Sequence, residues 1–411
     1  MAKSSSSAPV GNMVIGQSGG PTVVINQSLI GAVLEARRHK KVIQRVYGAL
    51  HGVQGILRQE LIDLTDEPKA NLELVAGTPA SSLGSVRKKP SADECRAMFN
   101  ILRAHNVRYF FYIGGNDSAE TAHIVSQVAE AEAYDLHVFH IPKTIDNDLR
   151  NTDHCPGFGS AAKFVAQAFM GDDMDNRSLK GIKINVIMGR HAGFLTAASA
   201  LGRASKDAGP HLVYLPEVAF DEKKFVEDVK KVYAKLGRCI IAVSEGIADA
   251  SGRAIAAKFS KEVDSHGNVQ LSGSGALGDL LADMIKKSFT EKIRVRADTF
   301  GYLQRSFCGV ISKVDAAEAR KVGELAVKHA VAGVPQGTIS IVRKKGKGYA
   351  VDYKLNDLSA VAKLTTHMEP RFINKEGNNV TKAFVDYALP LVGDLPKVGF
   401  LAGKKVAKKK I

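Results

Sequence analysis

Two short polar segments follow apolar runs of strand length, and their residues could transfer a phosphoryl group. One segment, Gly114 to Ser118, contains paired glycines and an aspartate, and the other, Pro142 to Asp148, contains a lysine and two aspartates. Paired glycines at a strand-to-helix turn let a phosphate approach backbone N–H groups, and a helix that begins near Ser118 would point its positive end there. Because carboxylates repel phosphate, a phosphate could bind beside them only if a metal ion or a lysine compensated their charge. The segments therefore indicate phosphoryl transfer with Mg²⁺, a base and a compensating cation, and Lys143 is the candidate for this cation.

The spacing of Asp146 and Asp148 suits acid–base chemistry. On an extended segment both carboxylates face one side together with Thr144, whereas Lys143 faces the other. Such a pair could supply a general base and the group that orients it. An Asp-Asn-Asp run also favours an ordinary turn, but its position directly after a buried strand favours the catalytic interpretation.

Three further turns, two of which follow apolar runs, could hold a phosphorylated sugar. Met188 to Gly193 offers close backbone approach and the guanidinium of Arg190. Ser244 to Gly246 places the carboxylate of Glu245 where sugar hydroxyls could donate to it, and Gly301 to Arg305 adds a phenol and a second guanidinium. Each turn alone could be an ordinary surface loop. Together with the two polar segments they describe a sugar-phosphate kinase.

Parallel β-α-β units are needed to bring these turns together. Apolar runs alternate with amphipathic helical segments, which predicts an α/β protein with doubly wound parallel sheets and ligands at the carboxyl ends of the strands. The rhythm breaks at 146–159, where we expect the chain to cross between two Rossmann-like domains with the active site in the cleft. The pattern predicts strands at 13–17, 42–47, 108–113, 136–141, 182–188, 211–215 and 239–244, helices that include 22–36, 118–132, 160–170 and 221–236, a hairpin turn at 344–348 and an irregular C-terminal cap at 355–391.

The composition predicts a globular cytoplasmic protein that binds neither membranes nor nucleic acids. No apolar run reaches the ~18 residues of a membrane helix, and the N-terminus lacks the apolar segment of a secretory signal. The 57 basic and 42 acidic residues give a formal charge of +15. Part of this charge lies in the final lysine run, which is typical of a solvated tail. The internal arginines stand singly in glycine-containing turns or at strand ends, as ligands of small phosphates do.

Neither of two common nucleotide-binding motifs supports nucleotide binding by this chain. The chain has no Gly-x-x-x-x-Gly-Lys-[Ser/Thr] phosphate loop. Gly273 to Gly278 matches a dinucleotide-binding fingerprint after a strand-like run at 269–271. A single match so late in a chain more often marks a flexible turn that leads into a helix, and we therefore reject a nicotinamide cofactor.

From about residue 13 to residue 395 the chain resembles the phosphofructokinases, and among them the pyrophosphate-dependent 6-phosphofructokinases. The matching segments are Ser18 to Gly20, Gly77 to Thr78, Leu83 to Arg87, Gly114 to Ser118, Pro142 to Asp148, Met188 to Arg190, Ser244 to Gly246 and Gly301 to Arg305. The resemblance implies reversible phosphoryl transfer from pyrophosphate to the 1-hydroxyl of fructose 6-phosphate, in glycolysis and gluconeogenesis. It also implies Mg²⁺ as cofactor and a homodimer or homotetramer.

The resemblance implies a role for each matching residue. Asp146 would accept the proton of the 1-hydroxyl, with Lys143 and Asp117 as the other catalytic residues. The substrate-binding residues would be Thr144, Ile145, Asp148, Met188, Gly189, Arg190, Glu245, Arg296, Tyr302 and Arg305, with Arg296 reaching into a neighbouring subunit. The diphosphate-binding residues would be Gly19, Arg87, Gly115 and Ser118. The metal would lie at Asn116, where the family usually has an aspartate, a better Mg²⁺ ligand than an amide.

The resemblance also divides the chain. An N-terminal donor-binding α/β domain would span residues 1–157 and be completed by about 304–355. A fructose-6-phosphate-binding α/β domain would span 158–303 and be completed by about 356–400, followed by a basic tail at 401–411. A further departure from many relatives is Gly181, where they carry an arginine that reaches across the subunit interface, so Lys183 could substitute for it.

Asp117 and Lys143 determine the predicted donor, because ATP-using relatives carry glycine in place of Asp117 and often in place of Lys143. A carboxylate at 117 would occupy the position of the α-phosphate of ATP. Two like charges ~4 Å apart at an effective dielectric of ~20 repel by about 4 kcal/mol. The alternatives are an ATP-dependent phosphofructokinase, an enzyme that also accepts sedoheptulose 7-phosphate and, in another class, a catalytically silent binding protein.

Overall fold

The computed structural model describes residues 8–258, 275–362 and 365–409. The strands are β1 (Gly11–Gln17), β2 (Ile43–Ala49), β3 (Leu61–Asp63), β4 (Val107–Gly114), β5 (His137–Pro142), β6 (Ile182–Ile187), β7 (Leu212–Tyr214), β8 (Cys239–Ser244), β9 (Val295–Thr299), β10 (Gln336–Arg343) and β11 (Val351–Asn356). The helices are α1 (Ile25–Ala36), α2 (Val53–Arg58), α3 (Lys69–Ala76), α4 (Ala92–Ala104), α5 (Asn116–Ala131), α6 (Phe158–Ser178), α7 (Phe194–Ala197), α8 (Glu222–Leu236), α9 (Ala276–Ser288), α10 (Lys313–Val331) and α11 (Lys382–Val392). The strand-like run at 269–271, the first two residues of the Gly273 motif and the last two residues of the basic tail lie outside the described residues.

The larger sheet has seven strands in the order β11-β10-β5-β4-β1-β2-β3. Its central strands pair in parallel, whereas β3 and β11 are antiparallel edges. The side chains of Met13, Phe111, Phe139 and Ile341 are fully buried in its core. A parallel strand covered on both faces appears in the sequence as a continuous apolar run, which is why the pattern identified β1, β4 and β5. It did not identify β10, which also lies inside this sheet.

The smaller sheet has four parallel strands in the order β7-β8-β6-β9. Its core includes Ile184 and Ile241, which are fully buried on β6 and β8. With two largely parallel sheets covered by helices, the predicted α/β class is confirmed. None of the helices within the described ranges is long and apolar enough to cross a membrane.

Several predicted elements need correction. Helix α5 begins at Asn116, two residues earlier than predicted, and α6 continues to Ser178 instead of ending near 170. The predicted strands do not include β3, β9, β10 or β11. Strand β9 has a buried residue only at Val295 and contains the exposed Arg296, so it does not appear as an apolar run. The segment predicted to be irregular contains helix α11, whose signal is weakened by an internal proline, Pro390.

Candidate active site

A cavity of about 390 Å³ is lined by residues that follow strands of both sheets. From the larger sheet come the turns after β1, β4 and β5, and from the smaller sheet the residues after β6, β8 and β9. These are the carboxyl ends of the strands, where open α/β sheets bind ligands. The lining residues are Ser18, Gly19, Gly20, Pro21, Val86, Arg87, Lys88, Gly115, Asn116, Asp117, Ser118, Lys143, Thr144, Ile145, Asp146, Asp148, Met188, Arg190, His191, Glu245, Arg305 and Thr365.

The cavity brings together most of the predicted site residues. The exceptions are Gly189, Arg296 and Tyr302, which do not line it. The ring of Tyr302 nevertheless lies beneath the guanidinium of Arg305, whose Cζ is 4.5 Å from the ring centroid. Arg296 borders a separate small pocket with Lys183. Its predicted contact with a neighbouring subunit stays a prediction.

The predicted extended geometry of the Asp146 segment is wrong. Asn147 has a φ of +59°, and the Asp146 N–H donates to Thr144 Oγ1 at 3.1 Å, so the segment is a turn. Asparagine tolerates this left-handed conformation better than most residues. As a result Lys143 does not face away from Asp146 and Asp148 but lines the same cavity.

The two aspartates have environments that suit a general base. Burial raises the pKa of Asp146, and the charges of Lys143, Arg190 and Arg305 oppose the rise. Burial, with the neighbouring charge of Asp146, raises the pKa of Asp148 to about 7. A carboxylate with a raised pKa is a stronger base than an exposed aspartate, and it can still be ionised near neutral pH.

Lys143 provides a buried cation next to the first glycine turn. Its ammonium donates a hydrogen bond to the carbonyl oxygen of Gly20. Burial, together with the positive charge of Arg305, lowers the pKa of Lys143 to about 7. An anion bound in the cavity would favour the charged form of this lysine.

The first turn approaches the guanidinium of Arg305 closely at Gly20. A Cβ atom at Gly20 would lie 2.6 Å from Arg305 Nη1, and Gly19 has a φ of +75°. The Gly19 N–H donates to Val86 O at 3.0 Å, and Ser85 Oγ donates to Gly19 O at 2.6 Å. These bonds fix the turn against the loop that carries Arg87.

The sequence analysis missed Lys89, which pairs with the carboxylate predicted to select the donor. Its ammonium lies 3.1 Å from Asp117 Oδ1 and 2.5 Å from Glu120 Oε2. Asp117 is 59% exposed, and Lys89 is 42% exposed. Because this cation and solvent both screen Asp117, the repulsion of about 4 kcal/mol estimated for two isolated charges at an effective dielectric of ~20 is an upper bound. No motif marked Lys89, which is simply the second lysine after Arg87.

The turns after β6 and β8 are locked together at the opposite end of the cavity. Ser244 Oγ donates to Gly189 O at 2.7 Å, and a Cβ atom at Gly246 would lie 2.0 Å from Arg190 O. Burial, with the charge of Asp146 adding to it, raises the pKa of Glu245 to about 7. The arrangement gives one end of the cavity guanidinium donors and a carboxyl group, a combination that suits a phosphorylated polyol.

Thr365 was also missed, because its segment was predicted to belong to an irregular cap. It lines the cavity beside Asp148, and the next residue, Thr366, donates its N–H to Asp148 O at 2.7 Å. His191, in the turn after β6, lines the cavity as well. Burial, followed by the charge of Arg190, lowers the pKa of His191.

The oxygen atoms of Asn116 and Asp148 could bind Mg²⁺. Asn116 Nδ2 donates to Asp148 Oδ2 at 3.2 Å, whereas the buried Asn116 Oδ1 has no hydrogen-bond partner among the described residues. The described residues contain no group of three or more histidine, cysteine or carboxylate side chains that could enclose a metal. Mg²⁺ usually binds through one or two protein oxygens together with waters and substrate phosphates, so Asn116 and Asp148 fit this ion.

Comparison with known proteins gives consistent matches over nearly the whole chain. The phosphofructokinase family model matches residues 12–330. A protein of Rhodospirillum rubrum named pyrophosphate--fructose 6-phosphate 1-phosphotransferase is 55% identical over 401 residues, covering 97% of this chain and 98% of that protein. A crystal structure of a pyrophosphate-dependent phosphofructokinase from Nitrosospira multiformis superposes with a TM-score of 0.84 at 32% identity, covering 95% and 94% of the two chains. A corresponding structure from Marinobacter aquaeolei gives 0.84 at 33% identity, covering 98% of each chain.

Proposed function

The chain belongs to the phosphofructokinase family, and we propose that it transfers a phosphoryl group from pyrophosphate to the 1-hydroxyl of fructose 6-phosphate. The products are fructose 1,6-bisphosphate and phosphate. The observation that carries this proposal is the cavity in which Asp146, Lys143 and Asp117 lie together. A base and a buried cation are groups that phosphoryl transfer uses, and a carboxylate at the donor end disfavours a donor with a further phosphate.

The proposed reaction assigns a step to each of the central residues. Asp146 takes the proton of the sugar 1-hydroxyl. At the same time the oxygen atom of this hydroxyl forms a bond to the phosphorus atom of pyrophosphate that lies nearer to the sugar. The bridging P–O bond breaks, and the leaving phosphate departs with the bonding electrons beside Lys143, whose charge stabilises it. Asn116 and Asp148 would hold Mg²⁺, which neutralises charge on the donor oxygens when it is bound.

The other lining residues divide between the two substrates. At the donor end, Gly19, Arg87, Gly115 and Ser118 would hold pyrophosphate against the N-terminus of α5. At the acceptor end, Arg190 and Arg305 would bind the 6-phosphate, and Glu245 would accept hydrogen bonds from sugar hydroxyls. Thr144, Ile145 and Met188 would complete the acceptor wall. Gly189, Tyr302 and Arg296 would act from outside this cavity, with Arg296 serving a neighbouring subunit.

The reaction is proposed to be readily reversible, because pyrophosphate drives transfer less strongly than cellular ATP does. The enzyme would therefore serve glycolysis and gluconeogenesis in the cytoplasm, as a homodimer or homotetramer. Residues 1–157 with about 304–355 would form the donor domain, and 158–303 with about 356–400 the acceptor domain. Light scattering of the purified protein would measure the subunit number.

Steady-state assays of the purified protein with Mg²⁺ test the proposal. We expect fructose 1,6-bisphosphate from pyrophosphate and fructose 6-phosphate, and a kcat/KM at least tenfold lower when ATP replaces pyrophosphate. Sedoheptulose 7-phosphate as acceptor tests the dual-acceptor alternative. Product formation with ATP alone would refute the proposed donor, and no transfer with either donor would refute the reaction.

Replacing Asp117 with glycine is expected to relax donor selection. Asp117→Gly removes both the charge and the volume at the position proposed to exclude the α-phosphate. Because Lys89 already screens this charge, we expect kcat/KM for ATP to rise by about 10- to 100-fold, which corresponds to about 1.4–2.7 kcal/mol. The measurement is kcat/KM for ATP and for pyrophosphate in both proteins. Unchanged discrimination would exclude Asp117 as the selecting residue, and Asp93→Gly, at a position that does not line the cavity, is the control.

The pH dependence of the activity should follow the ionisation of the buried groups in the cavity. Lys143 is charged below its pKa of about 7, so kcat/KM for pyrophosphate should fall as the pH rises through that value. Asp148 and Glu245, with pKa values of about 7, are ionised above that pH, so activity should also fall on the acid side. In Lys143→Arg the guanidinium stays charged at high pH, and the alkaline decline should disappear. An identical alkaline decline in this variant would exclude Lys143 as its cause.

A further inference from the structure

The turn that carries Asp146 and Asp148 forms hydrogen bonds with residues that follow, in the sequence, the segment matched by the family model. That match ends at residue 330. Asn147 Nδ2 donates to Tyr387 Oη at 2.8 Å, and the Thr366 N–H donates to Asp148 O at 2.7 Å. The C-terminal part of the chain therefore bonds to the two residues on either side of the Asn147–Asp148 peptide.

Asn147 is the residue on which the shape of this turn depends. Its φ of +59° is unfavourable for most side chains, but asparagine tolerates it, and the contacts of its side chain stabilise this conformation here. Its side chain is buried, with 4% exposure. Asn147 Oδ1 accepts from the Cys155 N–H at 2.8 Å, while its Nδ2 donates to Tyr387. Both ends of the amide are thus fixed, and this holds the backbone that positions Asp146.

The hydroxyl group of Tyr387 connects the two ends of the loop that follows. It accepts from Asn147 and donates to Asp153 O at 2.7 Å. Burial raises the pKa of Tyr387 well above its usual value, so the hydroxyl remains a donor at neutral pH. It thereby closes the loop from residue 147 to residue 153.

Tyr387 is itself fixed by its neighbours. Arg343 Nη1 donates to Tyr387 O at 2.8 Å, and its guanidinium Cζ lies 4.7 Å from the centroid of the tyrosine ring. Arg343 Nε also donates to Asp153 Oδ2 at 3.1 Å. On another side of the ring, Phe372 packs with a centroid distance of 5.2 Å. The ring would therefore keep its place if only the hydroxyl were removed.

We propose that Tyr387 is a positioning residue, which fixes the orientation of Asp146 towards the sugar hydroxyl through its hydrogen bond to Asn147. This inference rests on the proposed phosphoryl transfer. A base must lie within hydrogen-bond distance of the proton it takes, and a displacement of about 1 Å can lower the rate by about 100-fold. Tyr387 does not line the cavity, so its removal should leave substrate binding largely intact.

Tyr387→Phe removes this hydroxyl group and keeps the ring. We expect kcat to fall by about 10- to 100-fold, with the KM for each substrate within about threefold of the wild type. Tyr349→Phe is the matched control. Its hydroxyl donates to Glu318 Oε1 at 2.5 Å, and its ring also lies next to Arg343, but it does not bond to Asn147. We expect this control to lower the melting temperature and to keep kcat within about twofold.

Asn147→Gly tests the same hydrogen bond from its other partner. Glycine accepts the positive φ but provides no amide, so kcat should fall as in Tyr387→Phe. Both variants remove the hydrogen bond between Asn147 and Tyr387, while Asn147→Gly also removes the bond from the Cys155 N–H and Tyr387→Phe also removes the bond to Asp153 O. Because one bond is shared, the loss of kcat in the double variant should be smaller than the product of the two single losses. This variant also keeps the inference testable if Tyr387→Phe does not fold.

Three outcomes would overturn the inference while leaving the proposed function intact. They are a wild-type kcat in folded Tyr387→Phe, an equal loss of kcat in Tyr349→Phe, and multiplicative losses in the double variant. Failure of the wild-type protein to form fructose 1,6-bisphosphate would instead refute the proposed function itself. The assay of the wild-type protein therefore separates the two failures.

Discussion

Asp146→Asn is expected to lower kcat by about 10²- to 10⁴-fold, because the amide cannot take the proton of the attacking hydroxyl. Asparagine keeps the size and much of the hydrogen bonding of aspartate, so fructose 6-phosphate should still bind. Steady-state kinetics would give kcat, and calorimetric titration with fructose 6-phosphate would give the affinity. A variant that retained more than a tenth of the wild-type kcat would exclude Asp146 as the base.

The stability of this variant provides an internal control. Burial raises the folded-state pKa of Asp146, so above its unfolded-state pKa the ionised carboxylate disfavours folding. The neutral amide removes this penalty, and the melting temperature at pH 7 should stay the same or rise. Loss of activity with a lower melting temperature would instead indicate damage to the fold.

Lys143→Met is expected to have the second largest effect, lowering kcat by about 10²- to 10³-fold. The buried ammonium is proposed to stabilise the leaving phosphate, and methionine fills a similar volume without charge. Burial lowers the folded-state pKa of Lys143 to about 7, so below its unfolded-state pKa the charged form disfavours folding. Methionine removes this penalty, and the melting temperature should therefore not fall.

Lys163→Met is the matched control for this substitution. Lys163 donates to Ile311 O at 3.4 Å and does not line the cavity. It should keep kcat within about twofold of the wild type. Equal activity losses in the two variants would show that the effect is not specific to the cation beside the donor.

The sequence predicted those features that depend on local patterns. The strands that end at Gln17, Gly114 and Ser244 are covered on both faces and appear as apolar runs. The glycines after them mark tight turns, as at Gly246, where a Cβ atom would lie 2.0 Å from Arg190 O. The order of strands and turns along the chain was therefore sufficient to predict the fold class and to select residues that line one cavity.

Features that depend on distant contacts could not be predicted in this way. The ion pair of Lys89 with Asp117 joins a loop to a helix terminus and has no local signature. Tyr387 reaches Asn147 across 240 positions of sequence, and a tyrosine on the apolar face of a helix otherwise indicates only core packing. The positive φ of Asn147 depends on such contacts, which explains why the extended geometry assumed for Asp146 and Asp148 was wrong.

The most direct test of the central claim is ³¹P NMR of the wild-type protein with Mg²⁺, pyrophosphate and fructose 6-phosphate, in the absence of nucleotide. We predict that the pyrophosphate signal declines while a sugar 1-phosphate signal and an inorganic phosphate signal rise in equal amounts. Adding fructose 1,6-bisphosphate and phosphate should regenerate pyrophosphate. Release of two phosphates without a sugar 1-phosphate signal, or transfer only after ATP is added, would contradict the proposed function.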